Sequence, residues 1–271
     1  GYTMVYGIAK MLNFAHGDVI MIGAYIAFCA TQYWGFPPAL SVVAAMLVCT
    51  ALGVVIEGLA YKPLRQAASL AVLITAIGMS YLLQNLALLI WGANPKSFPS
   101  MVQLGAISLF GGGLLISGEM IVTVLANIVI MAALTFFTSK TKMGKAMRGV
   151  SEDRGAAELM GINVNRTISV TFAIGSALAA IAGVLLCSTY HTLMPTTGSM
   201  PGIKAFTAAV FGGIGSIPGA MIGGVLLGVI EILGKAYVST ELGDALVFAV
   251  LIIVLLVKPT GLLGKHVREK V

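Results

Sequence analysis

Charge is what this 271-residue chain has least of. Sixteen Lys and Arg and ten Asp and Glu make up a tenth of it, against 58% hydrophobic residues and a mean hydropathy of +1.00. Too little polar surface remains to cover a globule of this size in water, which excludes the soluble classes. Cysteine is also scarce: Cys29, Cys49 and Cys187 lie in apolar runs without paired spacing. That excludes a disulfide framework and a thiolate metal site, and the three read as packing residues. His16, His191 and His266 stand far apart without ligand spacing, and no carboxylate pair or nucleophile motif recommends an enzyme. A GxxxxGK[ST] loop is missing, although Gly144-Lys145-Ala146 and Gly234-Lys235-Ala236 carry its fragment. The chain is therefore not its own P-loop ATPase, and no ATP or Mg site is expected on it. Gly213-Ile214-Gly215 follows no soluble strand and is not a dinucleotide fingerprint. Alternating ten-residue segments, the mark of a membrane barrel, are absent as well.

What is present is a series of apolar runs long enough to cross a bilayer as helices, at 19–34, 40–60, 70–91, 120–138, 167–189, 218–238 and 245–257. A further piece, 206–213, is too brief to cross unaided. The reading is an all-α, polytopic transmembrane helical bundle of about eight membrane segments, one or two of them short or broken. It forms a single membrane domain over 1–271. The chain opens inside an apolar pattern at 1–12, with no initiator Met, basic region or cleavage site. No signal peptide is expected within it, and a missing N-terminal helix is.

A net charge of +6 would suggest nucleic acid in a soluble protein, but here the placement of the basic residues is the informative part. With 61–69, 139–166 and 258–271 on the cytoplasmic side, Lys10 falls there too. Only Lys96, Lys204 and Lys235 lie opposite, leaving 13 of 16 basic residues inside. The 190–202 loop is then outside and the C-terminus cytoplasmic, so an odd number of crossings must separate them. Counting 206–213 as a crossing satisfies this, and puts the glycine-rich turn at 212–219 on or near the cytoplasmic side.

The longest strongly charged stretch is 140–166. Within it Ser151 is a good N-cap, Glu152 and Asp153 suit the positive helix end, and Gly161 is placed to stop a helix of about nine residues. So short a helix needs docking to stay ordered. Gly155, Ala156, Leu159 and Met160 share one face at i, i+1, i+4, i+5. Spacing alone leaves a docking element and a solvated loop helix equally open.

Other polar groups interrupt the spans. Asn13-Phe14-Ala15-His16-Gly17-Asp18 could line a path through the membrane or form an ordinary cytoplasmic turn. With the break at Gly212, Gly213 and Gly215 it makes a pair of interrupted segments, a pattern that points to transport sites. Gln84 and Asn85 sit deep in a span, with Thr75 and Ser80 before them, and need either another helix or a wet pathway. Glu57, less than two turns from Lys62, and Glu231, four residues before Lys235, read as interfacial carboxylates. The Gly219/Gly223/Gly224/Gly228 and Gly175/Ala179/Gly183 series permit close helix crossing, within the chain or between subunits.

Four ordered segments carry a more specific signal: GYTMVYGIAKMLNFAHGDVIMIGAY, TAIGMSYLLQN, SEDRGAAELMGINVNR and KAFTAAVFGGIGSIPGAMIGGVLLG. Together they closely resemble the permease subunit of bacterial high-affinity branched-chain amino acid ABC importers, of the LivH type, almost from end to end. The resemblance implies a protein of the bacterial cytoplasmic membrane working with a sister permease, two cytoplasmic P-loop ATPases that bind ATP and Mg, and a periplasmic substrate-binding protein. It further implies that 139–166 is a cytoplasmic coupling loop whose short helix docks on an ATPase. The residues matching that element are Arg148, Ser151, Glu152, Asp153, Arg154, Ala156, Ala157, Leu159 and Gly161. Pathway candidates are Asn13, His16, Gln84, Asn85, Gly212, Gly213 and Gly215. The rival readings are an ion-coupled carrier and a passive channel for a small neutral solute such as urea or an amide. For the former, only Asp18, Glu57 and Glu231 are available inside the spans.

Overall fold

The computed structural model describes residues 1–65, 67–102, 104–109 and 114–264. The basic tail at 265–271, with Lys265, Arg268 and Lys270, lies outside the described residues. The chain begins with α1 (Tyr2–Ala9), α2 (His16–Gln32) and α3 (Pro38–Ile56), which continues through a π turn at Glu57–Tyr61 and a tight 3-10 turn at Lys62–Leu64. After α4 (Ser69–Trp91) come three short strands, β1 (Lys96–Ser97), β2 (Ile107–Leu109) and β3 (Leu114–Ile116). Next are α5 (Gly118–Lys140), α6 (Lys142–Glu152), α7 (Arg154–Leu159), α8 (Val164–Tyr190) and β4 (Thr192–Leu193). The sequence closes with α9 (Ser199–Gly212), α10 (Ile217–Tyr237) and α11 (Gly243–Val257).

Among the described residues, five helical stretches are long and apolar enough to cross a membrane: Pro38–Leu64, Ser69–Trp91, Gly118–Lys140, Val164–Tyr190 and Ile217–Tyr237, with α11 a shorter apolar companion. Their outer surfaces are apolar too: Leu89 is 80% exposed and Leu256 81%. Helices apolar all round require a surrounding that is not water. The expectation of a polytopic helical bundle holds, with four short strands beside the helices among the described residues.

The centre is formed by α2, α3 and α8, each packed on the other two, with Met21, Tyr25, Phe172 and Ile168 sealed from the surface. Lipid is as apolar as a leucine side chain, so close packing must replace the hydrophobic drive here. Small residues supply it. A Cβ on Gly183 would meet the Ile20 carbonyl, one on Gly23 would fall 2.5 Å from the Ala180 Cα, and one on Gly53 would strike Ser176. Of the second small-residue series, Gly219 lies on Gly212 and Gly223 on Ala208, whereas Gly228 faces open space. α5 lies along the edge of the bundle: Leu134 and Phe137 pack against the core, but Gly118 alone of its residues is fully buried.

At one end of the bundle β1 pairs antiparallel with β4, Lys96 opposite Leu193 and Ser97 opposite Thr192. At the other, α6 and α7 lie beside the end of α1 and the turn between α9 and α10. Leu262 and Leu263 donate backbone hydrogen bonds to the Phe211 and Gly212 carbonyls, so the segment after α11 returns to that same end. The odd number of crossings between 190 and the C-terminal region is thus met, with α9 as the short one.

Two carboxylates take fuller roles than their sequence spacing indicated. Glu57 pairs with Arg65 rather than Lys62, and the Ser169 hydroxyl donates to it at 2.7 Å. The π turn brings Glu57 to α8, and Arg65, which also bonds Asn165, completes the link. Glu231 does pair with Lys235, at 2.5 Å, and Lys204 joins it to Asp244 at 2.9 and 2.7 Å.

Candidate translocation junction and coupling segment

The interruption at 13–18 is a break inside the bundle. α1 ends where Lys10 turns left-handed (φ 53°), its N–H still donating to the Tyr6 carbonyl. The chain then doubles back, and α2 starts at His16 beside the beginning of α1, with the Tyr2 and His16 rings perpendicular at 5.6 Å. Asn13, His16 and Asp18 are all buried. An ordinary solvated turn would leave these groups wet, whereas here they are sealed within the bundle. Asn13 accepts a hydrogen bond of 3.0 Å from the Tyr61 hydroxyl.

The 190–202 loop departs from its expected place outside the membrane. Residues 190–193 remain at the strand-bearing end; the chain then dips until Gly198 and Gly202 pack on Gly17. The first turns of α2 and α9 therefore meet within the bundle. A Cβ on Gly202 would sit 2.7 Å from the Gly17 Cα, which explains glycine at both places. Between them Gln84 of α4 donates to Asp18 at 2.9 Å, with the Ser199 and Ser80 hydroxyls at 3.2 and 3.3 Å. Gln84 is 15 residues from the start of α4 and seven from its end, or about 22 Å and about 10 Å at 1.5 Å per residue. The junction lies well inside the span, where two positive helix ends converge near a carboxylate.

Asn85 does not join this cluster. It is exposed on the far side of α4 and bonds only the Tyr81 carbonyl of its own helix, at 2.8 Å. Ser199 and Tyr61 belong to the junction without having been singled out, and Asp18, part of the polar break at 13–18, joins it without having been named among the pathway candidates. For Asp18 the signal was available, two residues after His16 in the same polar break; for Ser199 and Tyr61 it was not.

A mostly apolar cavity of about 480 Å³ opens beside the junction, with His16, Tyr2, Thr3 and Asn127 among its few polar neighbours. A second, of about 290 Å³, brings the glycine turn and the charged segment together, since Gly215, Ser216 and Pro218 line it with Arg148 and Ser151. Gly213 and Gly215 both have positive φ (106° and 85°), which lets the α9–α10 turn close tightly.

The charged segment is two helices rather than one. Ser151 and Glu152 close α6, and the Ser151 hydroxyl donates back to the Arg148 carbonyl at 2.7 Å instead of capping forward. Asp153 is the N-cap of α7: its backbone is extended and its carboxylate accepts from the Ala156 N–H at 3.0 Å. A carboxylate placed one residue before the helix caps better than one placed within it, which moved the start by two residues. Gly161 stops the segment with φ 80°, as its position suggested. α6 is anchored by buried Met147 and Val150, and α7 by Ala157. The opposite face of α7 is bare: Leu159 is 91% exposed and Met160 82%, beside exposed Gly155 and Ala156. The Arg154 side chain points away from that face to the Ala9 carbonyl. Burial, and then the nearby Arg65 charge, pull its guanidinium below its ordinary pKa.

Residues 1–255 match the family model of the branched-chain amino acid transport system permease component. The chain belongs to this family. Among these permeases it is 48% identical to the high-affinity branched-chain amino acid transport system permease protein LivH of Escherichia coli K12, over all of this chain and 91% of that one. Identity to the corresponding permease protein BraD of Pseudomonas aeruginosa is 46%, over all of this chain and 92% of the relative. A probable branched-chain amino acid transport permease of Methanocaldococcus jannaschii is 31% identical over 97% of this chain and 86% of its own length. No solved structure matches. As a permease of this family the chain is a multi-pass membrane transport subunit and not an enzyme.

Proposed function

We propose that this permease carries branched-chain, aliphatic amino acids across the bacterial cytoplasmic membrane and is driven by ATP hydrolysed on separate subunits. Full-length identity to permeases named for that transport supports the substrate class. The partners in this reading are a sister permease, two cytoplasmic P-loop ATPases and a periplasmic binding protein. The end of the bundle that bears α6 and α7 faces the cytoplasm, in keeping with the charge bias of the loops. The segment 258–264 that returns after α11 lies at that end as well, which supports a cytoplasmic C-terminus.

The observation that carries the coupling reading is the bare face of α7. Leu159 and Met160 stand almost fully exposed on a capped helix held to the bundle from behind. Nothing in the chain covers that face among the described residues, and an exposed Leu–Met pair next to small Gly155 and Ala156 fits a groove on a folded partner. The path itself runs past the junction of α2, α4 and α9. Its apolar surroundings suit an aliphatic side chain, and its few polar groups suit the ammonium and carboxylate of the amino acid.

The test is reconstitution into liposomes with the partner subunits. Leucine uptake should require ATP at the α7 face and loaded binding protein at the other, and should persist when ionophores collapse ion gradients. Uptake by the permease without ATPases, lost on adding ionophore, would replace the importer with an ion-coupled carrier. Substituting a glycine–serine linker for 151–161 should abolish copurification of the ATPases; unchanged copurification would remove α7 from the docking role.

A further inference from the structure

The side chain that leaves the docking face of α7 has a specific destination. Arg154, the first residue of α7, donates from its guanidinium to the backbone carbonyl of Ala9, the last residue of α1. Among the described residues it makes the one side-chain hydrogen bond that joins α7 to a helix of the membrane bundle. The Asp153 carboxylate is spent within α7 itself.

We infer that Arg154 is a positioning residue for coupling, transmitting displacement of α7 through α1 to the junction of α2 and α9; this rests on α7 being the ATPase-docking helix. The acceptor is suited to the task. Lys10 turns left-handed after Ala9, so the carbonyl points out of the helix end, where the negative end of the macrodipole favours a cation. Arg65, the neighbouring guanidinium, is engaged by Glu57 and Asn165 and does not compete for it.

The helix between the two ends is short and gripped. Seven of the eight residues of α1 are buried, and at about 1.5 Å per residue it spans about 12 Å. A hydrogen-bonded helix this short moves as one body, so a displacement at Ala9 is carried to Tyr2. There the Tyr2 ring lies against His16, at 5.6 Å, and against Phe206 of α9, at 5.5 Å. His16 opens α2 and Phe206 belongs to α9, the two helices whose first turns meet at Gly17 and Gly198. Along its length α1 also touches the α9–α10 turn, since a Cβ on Gly7 would sit 2.9 Å from the Gly215 Cα. One polar contact at the coupling end thus connects with both broken segments.

The experiment uses the whole importer in liposomes, with Arg154→Gln and Arg154→Lys permeases. Both variants should copurify with the ATPases, because the docking face is untouched. In Arg154→Gln, leucine transported per ATP hydrolysed should fall about tenfold or more, the loss that one charge-assisted hydrogen bond sets. Arg154→Lys, which can still reach a carbonyl, should recover most of that ratio and shows that the fold is not what was lost. A ratio equal to wild type in Arg154→Gln would overturn the proposal. So would loss of the ATPases from that variant, since Arg154 would then be a docking contact. Whether α7 docks at all is read from the linker replacement of 151–161, so the two failures give different results.

Discussion

Replacing Gly183 by alanine tests the packing that holds the junction of α2, α4 and α9 in place. The added Cβ would press on the Ile20 carbonyl and lie 3.3 Å from the Ala24 nitrogen. All of these neighbours are backbone, so no side chain can swing aside; α2 and α8 must separate. Overpacking of this kind costs about 1–3 kcal/mol, and the relation between free energy and midpoint for a domain of this size is about 2–4 °C per kcal/mol. A fall of roughly 2–12 °C in the melting midpoint of the purified permease is therefore expected. The control is Gly228→Ala. Nothing lies within 4 Å of a Cβ there, and alanine gains about 1 kcal/mol of helix propensity over glycine. Its midpoint should hold or rise slightly. Light-scattering or dye-based thermal scans of both variants in one detergent decide the matter. A neutral Gly183→Ala, or equal falls for both, would refute the claim that α2 and α8 are in backbone contact.

The remaining expectations concern single polar contacts. Asp153→Ala removes the cap of a six-residue helix, worth about 1 kcal/mol, and should weaken ATPase binding about fivefold in a titration, with Asp153→Asn close to wild type. A normal affinity for the alanine variant would show that α7 order does not depend on its cap. Gln84→Leu removes the donor to the buried Asp18 carboxylate and should cost about 1–3 kcal/mol, measurable as a lower midpoint. Adding Asp18→Asn should return part of that loss, and no recovery would mean that the two side chains are not coupled.

Much of the bundle was legible because apolar length is a direct physical requirement of the bilayer: the runs at 40–60, 70–91 and 218–238 differ from their helices by only a few residues. The end of the charged segment was legible for a similar reason, since Gly161 occupies a left-handed position that favours glycine. Its beginning was not. Ser151, Glu152 and Asp153 all suit a helix start, and only the packing of Met147 and Val150 shows that the first two belong to the preceding helix. The junction was half visible. Asn13, His16 and Gln84 declared themselves as polar groups in apolar runs, but a list of residues cannot say which side of a helix faces a partner. Asn85, next to Gln84, points the other way. Ser199 lay hidden in a loop whose charge balance placed it outside, because the positive-inside rule assigns a loop to a side and is blind to a loop that dips back.

The central claim is that the Leu159 and Met160 face of α7 meets a cytoplasmic ATPase. Site-specific photocrosslinking from position 160 in intact cells tests it most directly. The account predicts an adduct whose mass is that of the permease plus one nucleotide-binding subunit, formed under conditions where leucine uptake is normal. Adducts with the periplasmic binding protein, or with lipid alone while uptake continues, would contradict it.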